Sequence, residues 1–126
     1  MAERAERLGY HSLWVFQRLL YPVQPKNEYY GAPGPWPAAF RTVLDPLVVL
    51  AFAAAVTRRV RLGVSVLIMP FYNPVVLGKL LASLDVMSRG RLDVGLGIGW
   101  SVDELETAGR WESPGARADE FLQVLN

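Results

Sequence analysis

Two segments thirty residues apart carry the same pattern, and this period constrains the fold more than any other feature of the chain. They read RLGVSVL at 61–67 and RLDVGLG at 91–97. A period of this length is compatible with a solenoid. Here, however, each unit joins a strand-like run with one aliphatic face to a helical run of about four turns, which is the βα unit of a parallel sheet. The repeat therefore predicts an α/β fold.

Local signals place the elements of this fold. Asp45-Pro46 and Asn73-Pro74 are N-cap and first-turn signals for two helices, and a further helical pattern covers 114–125. Long helices between parallel strands, with small residues on the second strand face, favour a barrel over an open sheet. Three parallel strands, in sequential order, are predicted near 12–17, 60–68 and 91–99.

Alternation within the first two strands predicts which side chains enter the core. In the run 60–68, Val66 falls on the aliphatic face and Leu67 on the opposite face. In the first strand, Trp14 and Phe16 either line a pocket or fill the interior of the barrel, and we favour the interior.

The third strand ends in GRLDVGLGIGW at 90–100, with glycines at alternate positions. A dinucleotide-binding loop is disfavoured, because Trp100 stands at its third glycine position and SVDE at 101–104 starts an acidic helix. We interpret SVDE as a capping box and the acidic run 103–106 as a solvated helix start. Glycines on one strand face indicate either room for a ligand or relief of crowding inside a barrel.

Composition excludes several kinds of site. The chain of 126 residues has no cysteine and one histidine, His11, so thiolate metal sites, disulfides and histidine triads are ruled out, and we expect no metal. A formal net charge of +1 offers no electrostatic basis for binding nucleic acid or membranes. No signal peptide is visible, and we expect a cytoplasmic protein.

The segment 17–44 is a long loop with five prolines and interspersed aromatic residues. Loops of this length are usually functional or disordered, and the aromatic residues argue against disorder. Because the loop follows a strand, it would lie on the catalytic face of a barrel. We predict a packed lid; the alternative is a loop that only covers the barrel end.

Three segments together resemble the luciferase-like monooxygenase family, and in particular its branch that uses coenzyme F420. They are SLWVFQRLLYP, the run from Asp45 to Trp100, and GARADEFLQVL. The resemblance implies a (β/α)8 barrel of oxidoreductases that bind F420 or FMN at the C-terminal face and act on small molecules. It also implies that residues 1–126 form a single partial domain, with strands 2–4 but without strand 1 and strands 5–8. We therefore expect a fragment that is inactive alone, from a parent that forms a homodimer.

The resemblance also implies roles for individual residues. Ser65-Val66 matches a non-prolyl cis peptide of the family, and Gln17, Arg18 and Trp100 occupy its catalytic positions. None of these three side chains is suited to proton transfer near neutral pH, because glutamine and tryptophan do not titrate there and arginine stays protonated. Arg18 is better suited to fixing an anionic or carbonyl oxygen. The expected cofactor contacts are Arg18, Ser65, Val66, Gly97, Ile98, Gly99 and Asp103. The resemblance also implies that the glycine face of the third strand is space for the ring system of the cofactor.

Three functions remain open from the sequence. The first is a flavin- or F420-dependent oxidoreductase or monooxygenase, present here as a fragment. The second is a family member that binds a flavin-like ligand without catalysis. The third is a decayed gene fragment.

Overall fold

A computed structural model describes residues 1–109 and 112–125. Within these ranges the helices are α1 Ala2–Arg7, α2 Pro46–Val56, α3 Pro74–Ser88, α4 Val102–Ala108 and α5 Pro114–Leu125. Short 3₁₀ turns cover Ala38–Thr42 and Met69–Phe71. The strands are β1 Ser12–Val15, β2 Arg61–Ile68 and β3 Leu92–Gly97.

The three strands form one parallel sheet in the order β1-β2-β3, which confirms the predicted topology. Leu62 is paired with Leu92, and Val64 with Val94. These partners are thirty positions apart, so the sequence repeat matches the register of β2 and β3 as far as Val64. Helices connect the strands because parallel neighbours require a crossover.

Both predicted helix starts are confirmed by their caps. The Asp45 carboxylate accepts a hydrogen bond from the Val48 amide at 3.0 Å, and Asn73 Oδ1 accepts from the amides of Val75 and Val76. A proline follows each cap, where its missing N–H is not needed. The helix over Pro114–Leu125 is also confirmed.

The core lies between the sheet and the helices, and it contains one buried arginine. Arg91 donates to the carbonyls of Ala54, Thr57, Val60 and Ser88. It thereby links the end of α2 to the end of α3. The apolar core itself is formed by Leu50, Ala53, Ala54, Val60, Leu62, Val64, Leu67, Met69, Leu77, Leu84 and Phe121.

The predicted faces of β2 are wrong beyond Ser65. The register between β2 and β3 shifts between Val64 and Leu67. Leu67 is therefore fully buried in the core, whereas Val66 is partly exposed on the other face. Strict alternation fails here because an irregularity in the ladder exchanges the faces of the residues that follow it. The Ser65–Val66 peptide bond is cis, as the family resemblance implies.

Trp14 and Phe16 lie on the sheet face opposite the helices, which is the interior side in a barrel, but they do not fill a packed interior as we expected. Their exposed fractions are 54% and 42%. Their neighbour Val15 packs on the core, and the indole of Trp14 covers Gly63 on the opposite face of the sheet. No helix of the described residues is long and apolar enough to cross a membrane.

Candidate functional site

A cavity of about 610 Å³ opens where the carboxyl ends of the three strands meet. Each strand end contributes to it, and the long loop supplies the remaining wall. Ligands of parallel α/β folds bind at this edge of the sheet. The lining residues are Phe16, Gln17, Arg18, Tyr29, Tyr30, Phe40, Ser65, Val66, Ile68, Gly99 and Trp100.

Gln17 links the ends of β1 and β2 at the base of this cavity. Its Oε1 accepts a hydrogen bond from the Ile68 amide at 2.7 Å, and its Nε2 donates to the hydroxyl of Tyr72. Burial raises the pKa of Tyr72, which keeps its hydroxyl protonated. Because both ends of the Gln17 amide are engaged, its contribution in this structure is to position the two strand ends.

Arg18 is held from several sides, and 6% of its side chain is exposed. Its Nε donates to the carbonyl of Gln17 at 2.7 Å, and its guanidinium carbon lies 5.0 Å from the ring centroid of Trp100. The rings of Trp36 and Phe40 stand within 6 Å of it as well. Burial lowers the pKa of Arg18, although not enough to discharge a guanidinium near neutral pH. Its Nη1 is buried without a hydrogen-bond partner.

Glu104 is the charge partner of Arg18, and the sequence did not indicate this. Its Oε2 lies 3.1 Å from Arg18 Nη2, and its Oε1 accepts from the amides of Leu19 and Leu20 at 2.6 and 3.3 Å. Glu104 is fully buried, so the interpretation of 103–106 as a solvated helix start is wrong at this position. The N-cap is confirmed, since Ser101 Oγ accepts from the Glu104 amide. The reciprocal half of the capping box is wrong, because the Glu104 carboxylate accepts from the Leu19 and Leu20 amides instead of the Ser101 amide.

Asp103 lies on the outer side of the same helix. Its carboxylate accepts a hydrogen bond from the Lys26 amide at 3.0 Å, and Glu106 pairs with the Lys26 ammonium group. Asp103 is not among the residues that line the cavity. In this structure it fastens the long loop to α4.

The long loop is packed by its aromatic residues and forms one wall of the cavity, so the expectation that it is ordered is confirmed. Asn27 Oδ1 accepts from the Val102 amide at 2.9 Å, and the indole of Trp36 donates to the Asn27 carbonyl. Trp36 is buried, and the surrounding rings meet mostly edge to face or tilted, the favoured geometry. The rings in contact belong to Phe16, Tyr21, Tyr29, Tyr30, Trp36, Phe40 and Trp100.

The glycine face of β3 is filled by the neighbouring strand. A Cβ on Gly97 would lie 2.7 Å from a methyl group of Val66, and one on Gly95 would lie 3.0 Å from the Val64 carbonyl oxygen. Relief of crowding therefore explains these two glycines, and the expectation that they leave room for a ligand is wrong. Gly99, at φ +79°, does line the cavity.

The structure thus brings together most, but not all, of the site residues named from the sequence. One cavity is lined by Gln17, Arg18, Ser65, Val66, Gly99 and Trp100. Gly97, Ile98 and Asp103 do not. The sequence analysis did not select Tyr29, Tyr30 and Phe40 individually, although the aromatic content of the loop was a signal. For Glu104 no signal was available.

Comparison with known proteins gives a match over the whole chain. A family model described as luciferase-like monooxygenase matches residues 1–126. An uncharacterised protein of Mycobacterium tuberculosis is 36% identical over 98% of this chain and 45% of its own length. The F420-dependent glucose-6-phosphate dehydrogenase of Amycolatopsis mediterranei is 33% identical over 86% of this chain and 29% of its own length. The chain spans about half the length, or less, of such relatives.

Two solved structures are also similar to this chain over nearly its whole length, and each is about three times as long. Monooxygenase RslO1 from Streptomyces bottropensis superimposes with a TM-score of 0.75 at 34% identity, covering 98% of this chain and 33% of that one. The oxygenating constituent of 3,6-diketocamphane monooxygenase from Pseudomonas putida, in complex with FMN, gives a TM-score of 0.76. That second match, at 18% identity, covers 98% of this chain and 31% of that one, and it shows the fold alone.

Proposed function

Because this chain belongs to the luciferase-like monooxygenase family, we propose that its cavity holds the ring system of a flavin-type cofactor in an oxidoreductase that acts on a small molecule. The chain is part of a (β/α)8 barrel, comprising three consecutive strands and their helices. In such barrels the reaction takes place at the carboxyl ends of the strands.

One observation carries the proposal: the three strand ends and the aromatic loop line the same open cavity, of about 610 Å³. Cavities for small ligands span roughly 300–1,000 Å³ and combine apolar walls with few polar groups. Five aromatic side chains line this one, together with Arg18. These features fit a planar heteroaromatic ring.

The ring would contact Ser65, Val66 and Gly99 at the strand ends. Arg18 would contact either the ring or the substrate of the enzyme. The bound ring would supply the redox chemistry. No group that exchanges protons near neutral pH is provided by Gln17, Arg18 or Trp100. Their proposed roles are to position the strand ends, to bind the ligand and to exclude water from the cavity. We propose F420 as the cofactor, with FMN as the alternative. One relative is named as F420-dependent, and one structural neighbour is a complex with FMN. The proposal leaves out Gly97, Ile98 and Asp103 as ring contacts, since they lie outside the cavity.

The proposal is tested by titrating F420 and FMN into two samples and following fluorescence quenching. One sample is the protein alone, and the other is the protein co-expressed with the strand 5–8 segment of a relative. We expect tighter binding in the second sample, because the chain spans 45% of the length of such a relative. Phe16→Ala, which removes a ring from the cavity wall, should weaken binding about 2- to 10-fold.

Phe52→Ala is the matched control, because Phe52 is exposed on the far side of α2. It should leave the binding of both cofactors unchanged. Failure of both cofactors to bind either sample, or an equal effect of the two substitutions, would contradict the proposal.

A further inference from the structure

The first part of the long loop is fastened to α4. The amides of Leu19 and Lys26 donate to the carboxylates of Glu104 and Asp103 at 2.6 and 3.0 Å. The side chain of Asn27 accepts a hydrogen bond from the first amide of α4 at 2.9 Å. These bonds join loop backbone to helix side chains, and a loop side chain to helix backbone. The loop is therefore fixed relative to α4 as far as Asn27.

Asn27 also forms one side of a neck in the loop. Its carbonyl accepts a hydrogen bond from the indole of Trp36 at 3.0 Å, and Trp36 is only 3% exposed. Residues 28–35, which we call the flap, therefore begin and end at one fixed point. Compact surface loops whose ends lie close together are frequently functional.

The flap itself has few attachments. Each of its residues is exposed except Tyr29, which is half-buried. Within the part of the chain that the structure describes, one hydrogen bond joins the flap to other residues, from Asn27 Nδ2 to the Glu28 carbonyl. A segment with so few buried contacts and hydrogen bonds opens at a low cost in free energy.

Two side chains of the flap reach the cavity. Tyr29 and Tyr30 both line it, and their ring centroids lie 5.6 and 5.3 Å from that of Trp100. Tyr29 also meets the ring of Phe40 edge to face at 5.3 Å. Each contact of this kind changes an equilibrium about 2- to 10-fold. A small number of ring contacts thus favours the closed position of the flap.

Gly31 allows Tyr29 to take this position. A Cβ on Gly31 would overlap the ring of Tyr29, so a larger residue at position 31 forces that ring to move. The ring stands at the end of a rotatable side chain, and it can move with little effect on the rest of the fold. Gly31 is therefore needed for the closed flap and not for the folded state.

We propose that residues 28–35 open and close the cavity by swinging about the neck between Asn27 and Trp36. In the closed position Tyr29 and Tyr30 rest on Trp100. Opening admits and releases a ligand while the first part of the loop stays on α4, and closure excludes water. This inference rests on the proposed function, because the flap covers the cavity to which that function is assigned.

The motion is measured without a ligand, by ¹⁹F NMR of protein labelled with 5-fluorotryptophan. Trp100→Phe identifies the Trp100 signal among those of the four tryptophans. A soluble gadolinium chelate broadens the signal of an indole that solvent reaches. The combined variant Tyr29→Ala/Tyr30→Ala, which lacks both flap rings, is the reference for an open cavity. We expect the chelate to broaden the Trp100 signal less in the wild type than in this reference.

Gly31→Ala should bring the Trp100 signal towards the open reference. The expected increase in the ratio of open to closed flap is about 5- to 100-fold, as for the loss of both ring contacts that Tyr29 makes with Trp100 and Phe40. Ala32→Ser is the matched control, because it changes the adjacent exposed residue of the flap and leaves Gly31 in place. It should keep the wild-type broadening.

A nitroxide label distinguishes opening of the flap from a rotation of the Tyr29 ring alone. The chain has no cysteine, so Ala32→Cys places one label on the flap. Val23→Cys places one on the exposed part of the loop before the neck. Gly31→Ala should reduce the broadening of Trp100 by the label at position 32. It should leave the broadening by the label at position 23 unchanged.

Two results would overturn the inference: a wild-type Trp100 as accessible to the chelate as in the open reference, or an unchanged broadening from position 32 in a folded Gly31→Ala variant. The first comparison does not depend on Gly31→Ala. Cofactor titration is read separately. A flap that opens as expected in a protein that binds neither F420 nor FMN overturns the proposed function alone, whereas a cofactor-binding protein whose flap does not move overturns this inference alone.

Discussion

Glu6 binds three successive backbone amides with one carboxylate. Its oxygens accept from the N–H groups of Arg58, Arg59 and Val60 at distances between 2.6 and 3.1 Å. These bonds tie α1 to the turn that leads into β2. The hydrogen bond from Val60 is the largest cause that lowers the pKa of Glu6 from 4.5 to about 2. Nothing in the charged pattern of the first helix distinguished this residue from Glu3.

We expect Glu6→Gln to destabilise the protein in a pH-dependent way. The folded-state pKa is below the unfolded value, so the stabilisation is present above about pH 4.5 and is lost as the pH falls towards about 2. The difference in the free energy of unfolding between wild type and Glu6→Gln should therefore narrow over that window, as measured by urea unfolding at several pH values. Glu3→Gln, at an exposed position of the same helix, should show no such dependence. A difference that stays constant with pH would contradict the assignment.

At the scale of elements, β2 and β3 fit together because β3 has glycines where β2 shifts its register. Val66 leaves the core face at that shift and its methyl groups occupy the space beside Gly97. The glycines of β3 and the irregularity of β2 are therefore one packing arrangement. It places Val66 and Ser65 at the cavity.

Gly97→Ala should destabilise the protein by about 1–3 kcal/mol, because the added methyl group would overlap the stiff side chain of Val66. Combining it with Val66→Ala should recover part of this loss, with a coupling of at least about 0.5 kcal/mol in a double-mutant cycle. Gly115→Ala is the control, since a methyl group added there would meet no atom of the described residues within 4 Å. Additive effects of Gly97→Ala and Val66→Ala would show that the two positions do not compete for space.

At the scale of the whole molecule, the outer surface of the helical layer is unusually apolar. The helix α2 has no charged residue, and its Phe52 is 75% exposed. Val48 on α2 and Val76, Leu80 and Met87 on the adjacent α3 are exposed as well. Large exposed apolar side chains gathered on one layer of a protein are typical of an interface.

We expect this face to form the interface of the homodimer that the family resemblance implies for the parent protein. Phe52→Glu or Leu80→Glu should shift the protein towards the monomer in light scattering and sedimentation, because each would bury a charge without a partner. Val23→Glu, at an exposed position of the long loop, should leave the oligomeric state unchanged. A wild-type protein that is monomeric at high concentration would refute the expectation.

Sequence patterns alone determined the features that depend on residues close together in the chain. The thirty-residue repeat predicted parallel neighbouring strands, because successive βα units place their strands side by side. The caps at Asp45, Asn73 and Ser101 predicted where three helices begin, since a cap is completed within three residues.

Only the tertiary structure decided the contacts that join distant segments. Arg61 and Arg91 occupy equivalent positions of the repeat, yet Arg61 pairs with Asp93 and Arg91 is buried among carbonyls. The carboxylate of Glu104 meets the Leu19 amide across 85 residues and balances the charge of Arg18. A local pattern specifies backbone conformation and the faces of an element. It does not specify which buried charges meet, because that depends on how strands and loops come together in three dimensions.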